Sequence, residues 1–244
     1  MILLLVTLLL LHSSTIHSFS TKPTQFQQFV FGSNGVCLEP SLFVDIESNR
    51  KFTMRNVPGD GDCMFQAAAL AAATSWGLGA NMVLLRKIAK ETRQVVASIL
   101  ESEGNLYIEQ ARLVSAKQLL KSAAQQEGVT PDEYLSLLRK EGSEGGLYGG
   151  GPELTVLSNV LRRPISIYEL DTTTDSATTK DPCPRIVCLG VFGNPLFADP
   201  CQKISDSAIL LNLQPGAYSW HLHILVVDTG AEKHACVLLP QTPI

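Results

Sequence analysis

Five glycines crowded between residues 145 and 151 (Gly145, Gly146, Gly149, Gly150 and Gly151) divide the chain into two parts with different hydrophobic rhythms. Before them the apolar residues recur at helical spacing. Met64 to Ala73 is a run of strong helix formers behind a Gly-Asp turn, which predicts a helix starting close to Cys63. Leu84, Ile88, Val95 and Ile99 share one face of a helix predicted over Met82 to Leu100, with Lys87, Lys90, Glu91 and Arg93 elsewhere. A third helix is expected from Leu106 to Gln126, on a stripe of Leu106, Leu113, Leu119 and Leu120. Thr130-Pro131-Asp132-Glu133 opens a fourth, with Thr130 as N-cap, Pro131 in the first turn and Glu133 closing a capping box.

After the glycines, Glu153 to Leu161 reads as one more helix, and Pro164 to Tyr168 then alternates like a strand. Arg185 to Leu189, Ala208 to Leu213 and Leu222 to Val227 are the other expected strands, and the polar stretch Thr172 to Asp181 is a surface loop. Helices that mostly precede strands imply an α+β fold, a helical lobe packed on a small central β-sheet. A chain of 244 residues with 45% hydrophobic side chains can bury such a core as one domain, expected over residues 51–230 with a C-terminal tail at 231–244.

Charge and cysteine content exclude several classes. A net charge of −4 with no basic block argues against nucleic acid as a partner, because phosphate backbones are held by clustered Lys and Arg. The six cysteines, Cys37, Cys63, Cys183, Cys188, Cys201 and Cys236, lack the paired spacings of a zinc site. A disulfide among the last four is open if the protein sits in an oxidising compartment.

The N-terminal segment has its own composition. Ile2 to Leu11 is apolar, too short to span a bilayer and the right length for a signal-peptide core, so residues 1–18 are expected to be a signal peptide and no stable membrane anchor is expected in the mature form. No acidic residue occurs from Met1 to Leu38, and residues 19–50 read as a transit-like or disordered leader. Entry into the secretory pathway follows, with two continuations left open: plain secretion, or a plastid or periplastid compartment, since His17-Ser18-Phe19-Ser20 resembles an algal plastid leader junction. A start codon assigned too far upstream would instead leave the protein cytoplasmic.

The residues that carry chemistry lie in Val57-Pro58-Gly59-Asp60-Gly61-Asp62-Cys63-Met64-Phe65. A glycine-rich turn here delivers a cysteine to a helix start, where free N–H groups and the helix dipole favour thiolate over thiol. The same N–H groups suit an oxyanion hole, and Gly59 and Gly61 allow close approach of a substrate carbonyl. A thiolate nucleophile needs an imidazole base. His12 and His17 fall in the leader, which leaves His221, His223 and His234. His221 stands at the mouth of the strand Ile224-Leu225-Val226-Val227, and alternation puts His221 and His223 on one face.

With Cys63 and His221 in view, three blocks resemble the ovarian-tumour (OTU) family of cysteine proteases: Asp60-Gly61-Asp62-Cys63-Met64-Phe65, then Tyr148-Gly149-Gly150-Gly151-Pro152-Glu153-Leu154, then His221-Leu222-His223. The family pattern is Asp-Gly-Asn-Cys-Leu-Phe, Trp-Gly-Gly-x-x-Glu-Leu, and a late His followed two residues on by Asp or Asn. The resemblance implies Cys63 as nucleophile, His221 as general base and acid, and Asp60 in the turn that shapes the oxyanion hole. His223 takes the third triad position, while Tyr148, Gly149, Gly150 and Glu153 look structural. It further implies hydrolysis of isopeptide bonds between lysine and ubiquitin or a ubiquitin-like protein, whose conjugates are the partners, with no metal or cofactor needed. His223 in place of an acid or amide motivates a second reading, an OTU-like module that binds the modifier with weak or no catalysis. A secreted papain-like protease would fit the leader, yet no Cys-Gly-Ser-Cys-Trp block is present.

Overall fold

The Thr130 capping box forms as its spacing predicts: Thr130 Oγ1 accepts from the Glu133 N–H, and the Glu133 carboxylate accepts from the Thr130 N–H. The computed structural model describes residues 30–31, 36–37, 42–75, 82–108, 112–171, 183–194, 197, 221–228 and 233–241. The chain divides into two compact units, Met1–Glu39 and Pro40–Ile244. In the first, β1 (Val30–Phe31) pairs antiparallel with β2 (Val36–Cys37). All else concerns the second unit.

Its strands are β3 (Leu42–Asp45), β4 (Lys51–Arg55), a β5–β6 hairpin (Asn105–Tyr107, Leu113–Ser115), β7 (Ile165–Leu170), β8 (Arg185–Phe192), β9 (Leu222–Asp228) and β10 (Lys233–Pro240). Its helices are α1 (Cys63–Ser75), α2 (Met82–Leu100), α3 (Ala116–Glu127), α4 (Pro131–Arg139) and α5 (Gly151–Leu161). Six strands close into a barrel in the order β10-β4-β3-β8-β7-β9. The fold is α+β, as expected, with the sheet closed on itself.

Alternation along β9 and β10 separates two cores. Leu222, Ile224, Ala235 and Val237 face the helical lobe and join Phe65, Leu70 and Leu157 in the main hydrophobic core. The opposite faces carry Leu225, Val227, Cys236 and Leu238, all buried, into a barrel interior shared with Phe43, Phe52, Met54, Tyr168 and Ile186. Helix α1 is apolar nearly all round and packs between β9, β10 and α2, so ten of its thirteen residues are buried. Its alanines let the helix lie close to the barrel wall.

Three expectations change, and one possibility left open is resolved for three cysteines. The segment expected as one helix over Leu106 to Gln126 begins as the β5–β6 hairpin, with Ile108 N–H bonded to the Arg112 carbonyl; α3 starts only at Ala116, where Ser115 Oγ caps the Gln118 N–H. The expected tail at 231–244 instead contains β10, which pairs with both β9 and β4 and closes the barrel. The leader expected over 19–50 is cut short, because β3 starts at Leu42 within the barrel. Cys183, Cys188 and Cys236, three of the four cysteines left open for pairing, are free thiols. Residues 1–18, the strand at Ala208 to Leu213, the loop at Thr172 to Asp181, and Cys201 lie outside the described residues. No helix among the described residues is long and apolar enough to cross a membrane.

Candidate active site

Cys63 is the first residue of α1, and the turn before it is fixed from three sides. Gly61 has φ +85°, and a Cβ there would lie 2.6 Å from the Gly142 Cα, so two glycine backbones touch at this point. The Asp60 carboxylate accepts from the Asp62 N–H (3.2 Å) and from Gln66 Nε2 (2.9 Å), which folds the turn back on the helix. Asp62 Oδ1 accepts from the Gly142 N–H (3.0 Å) and from Arg93 Nε (2.6 Å). Arg93 is wholly buried and also donates to the carbonyls of Gly61, Leu138 and Leu147, with its guanidinium over the Phe65 ring. One side chain thus ties the nucleophile turn to the segment that leads into Tyr148.

Among the described residues, three groups reach the Cys63 sulfur. Tyr148 Oη lies 2.8 Å from Sγ, and the Ala235 N–H of β10 donates to it over 3.5 Å. The Met64 N–H, at the helix start, is the third. Burial pushes the Cys63 thiol up, these three donors pull it down, and the Asp60 charge adds a small upward push.

Beside Ala235 stands His234, whose Nδ1 comes within 3.6 Å of where a Gly59 side chain would begin. On its other side Nε2 lies 2.7 Å from Asn56 Oδ1, at the end of β4. An Nε2–H donated to that oxygen leaves Nδ1 as the basic nitrogen, on the side of the nucleophile turn. Asn56 Oδ1 also accepts from the Val57 N–H (3.0 Å) and from Cys236 Sγ–H (3.4 Å). Burial lowers the His234 pKa, partly offset by Asp60 and by a hydrogen bond to the Val57 backbone, so the ring is held as a neutral base. Burial first, and the neighbouring Cys63 second, push the Cys236 thiol up to about 12, so it stays protonated and can only donate to Asn56.

A cysteine at a helix N-terminus, an imidazole on the adjoining strand and an amide behind the imidazole are the group types that thiol hydrolases use. Residues 58–188 match the family of OTU-like cysteine proteases, more than half of the chain. The chain belongs to that family. Among solved structures it is similar to an OTU deubiquitinase from Wolbachia pipientis wMel, at 15% identity and a TM-score of 0.42, covering 78% of this chain and 88% of that one. It is likewise similar to the Hazara virus OTU bound to ubiquitin, at 19% identity and a TM-score of 0.42, covering 79% and 83%. No curated protein matches it by sequence.

The OTU match includes Cys63 and the Tyr148-to-Leu154 block but ends before β9 and β10, so geometry alone separates the histidines. His221 is not beside Cys63. Its Nδ1 lies 2.9 Å from Ser166 Oγ, and it lines a cavity of about 250 Å³ with Ala71, Thr74 and Ser75, the last turn of α1. Cys63 begins that same helix, about 18 Å away at 1.5 Å per residue. His223 is 1% exposed, with Nδ1 3.1 Å from Tyr168 Oη and its ring 5.0 Å from Phe52, so it belongs to the barrel wall and not to a triad. His221 and His223 do share a face, with stacked rings 6.2 Å apart.

Two residues after His234 stands Cys236, and the acceptor that meets the His234 ring comes instead from Asn56, just past the end of β4. Asp60 sits in the nucleophile turn, where it was expected. Glu153 is structural, accepting from Tyr134 Oη (2.6 Å) and the Gly150 N–H (2.8 Å). Tyr148, expected to be structural, reaches the sulfur. One signal for His234 was present: the apolar run Ala235 to Leu239 after Asp228-Thr229-Gly230 reads as the second strand of a hairpin. Nothing in the local sequence marks Asn56.

Proposed function

We propose that this protein is an active thiol protease that hydrolyses the isopeptide bond between a lysine side chain and ubiquitin or a ubiquitin-like modifier. Cys63 is the nucleophile, His234 the base and acid, and Asn56 the group that orients the imidazole. Thiol proton transfer to Nδ1 of His234 yields the thiolate, which attacks the isopeptide carbonyl. The oxyanion meets the backbone N–H groups at the start of α1, and the imidazolium then gives its proton to the departing lysine amine. Water, deprotonated by the neutral imidazole, hydrolyses the thioester and restores Cys63.

The observation that carries this reading is the run from Cys63 through the adjoining β10 to His234, and on to Asn56 at 2.7 Å. Family membership supports the substrate class. The second reading, binding without catalysis, loses its motive once His223 is outside the site.

The test is incubation of the full chain with ubiquitin carrying a C-terminal electrophile. A covalent adduct is expected in the wild type and in His221→Gln, none in Cys63→Ala, and strongly slowed adduct formation in His234→Ala. Adduct surviving in Cys63→Ala refutes the mechanism, and loss in His221→Gln with retention in His234→Ala returns the base to His221.

A further inference from the structure

We propose that Tyr148 is a further catalytic residue, whose hydroxyl donates a hydrogen bond to the Cys63 thiolate and favours that form over the thiol. This rests on the reading of Cys63 as the nucleophile and adds to it a residue that the family pattern fills with Trp.

Three observations carry it. First, Oη of Tyr148 is 2.8 Å from Sγ of Cys63. With a thiol either atom can donate; with a thiolate only the hydroxyl can, and the bond becomes charge-assisted and roughly twice as strong. A contact that strengthens on ionisation stabilises the ionised form. Secondly, the contact is built in. Arg93 bonds to the carbonyl of Leu147, the residue before Tyr148, and to Gly61 and Asp62 just before Cys63, so one buried guanidinium sets the distance between the two side chains. On the other side of Tyr148, a Cβ on Gly149 would lie 3.0 Å from Met64 Cβ and 3.2 Å from the Phe65 ring, an approach only glycine permits comfortably. Thirdly, Cys63 is 1% exposed, and burial works against its ionisation, so a donor from the side chain facing it matters. Trp at this position has an indole N–H but no hydroxyl, so the interaction belongs to this chain's own residue.

The other titratable groups around the sulfur are His234 on β10, Asp60 in the turn, and Cys236 on β10. Asp60 opposes ionisation and Cys236 stays protonated, and the side chain that assists it is Tyr148, beside the backbone N–H groups of Ala235 and Met64.

The experiment follows alkylation of Cys63 by iodoacetamide from pH 5 to 11, read on the Cys63 peptide by mass spectrometry in the full chain. In Tyr148→Phe the midpoint should rise by roughly one pH unit, the difference between a charge-assisted and a neutral hydrogen bond. The plateau rate should be equal or higher, because a more basic thiolate is intrinsically more nucleophilic. Replacing Tyr148 by 3-fluorotyrosine, a stronger donor of similar size, should move the midpoint down. A merely covering role predicts otherwise: Tyr148→Ala would speed alkylation at all pH values, and neither Tyr148→Phe nor the fluorinated residue would shift the midpoint. That result overturns the proposal. No ubiquitin enters the assay, so failure of the protein to cleave isopeptides would refute the proposed function and leave this result standing, and the reverse holds too.

Discussion

Asn56 meets His234 through an amide oxygen, a neutral acceptor that orients the imidazole without adding charge to it. Asn56→Ala should leave the fold in place and lower kcat/KM by about 10²-fold, the scale of a misaligned reacting group. Asn56→Asp puts a carboxylate against the imidazolium and raises its pKa, so His234 stays protonated to higher pH. The acid limb of the kcat/KM profile should therefore move upward, with activity retained above it. Wild-type profiles in both variants would show that another group orients His234.

At the level of elements, the site depends on how the start of α1 is joined to the segment from Gly142 to Tyr148. Arg93 of α2 makes that joint with Asp62, the side chains 0% and 8% exposed. A buried ion pair adds little compared with an apolar pair of the same shape, but breaking one side leaves a buried charge. Arg93→Met should accordingly cost about 3–5 kcal/mol in urea unfolding. Combining it with Asp62→Leu should recover part of that loss, although the hydrogen bond from the Gly142 N–H goes with Asp62. A single-variant cost below about 1 kcal/mol would show that the joint does not depend on Arg93. Its position among charged residues on a helix gives no hint of this role. Four carbonyl and carboxylate acceptors converge on it only after α2, α4 and the nucleophile turn have come together.

At the scale of the whole molecule, the more strongly lowered of the two lowered histidine pKa values lies at the end of the barrel remote from Cys63. His221 has its pKa lowered to about 4, first by burial and then by the charges of Arg163 and Arg50. The folded protein keeps this ring neutral down to about pH 4, whereas the unfolded chain takes up a proton below about 6.5. The unfolded state therefore binds more protons in that window. The stability conferred by neutral His221 is complete above pH 6.5 and is lost as pH falls toward 4, by about 2–3 kcal/mol. Urea unfolding of the full chain at pH 7.5 and 4.5 checks this, since His221→Gln should flatten the difference. An equal drop in wild type and variant would assign acid sensitivity to other groups.

Helices α1, α2, α4 and α5, strands β7 to β9, the capping box at Thr130 and the delivery of Cys63 to a helix start were legible in the sequence, because each depends on neighbours within a few residues, whereas β3, β4, the β5–β6 hairpin and β10 were not. The choice of histidine was not. His221 and His234 both stand where an apolar strand begins, so local pattern treats them alike. The antiparallel pairing of β9 with β10 sets His234 opposite Val227, at the far end of β9 from His221, a separation of about 20 Å at 3.3 Å per residue. Among the described residues, the end that meets the first turn of α1 is the one with Cys63 beside it. Register and helix direction make that selection, as they bring Asn56, Tyr148 and Arg93 to the site from three separate segments, because contacts across a barrel and a helical lobe are fixed by packing and not by distance along the chain.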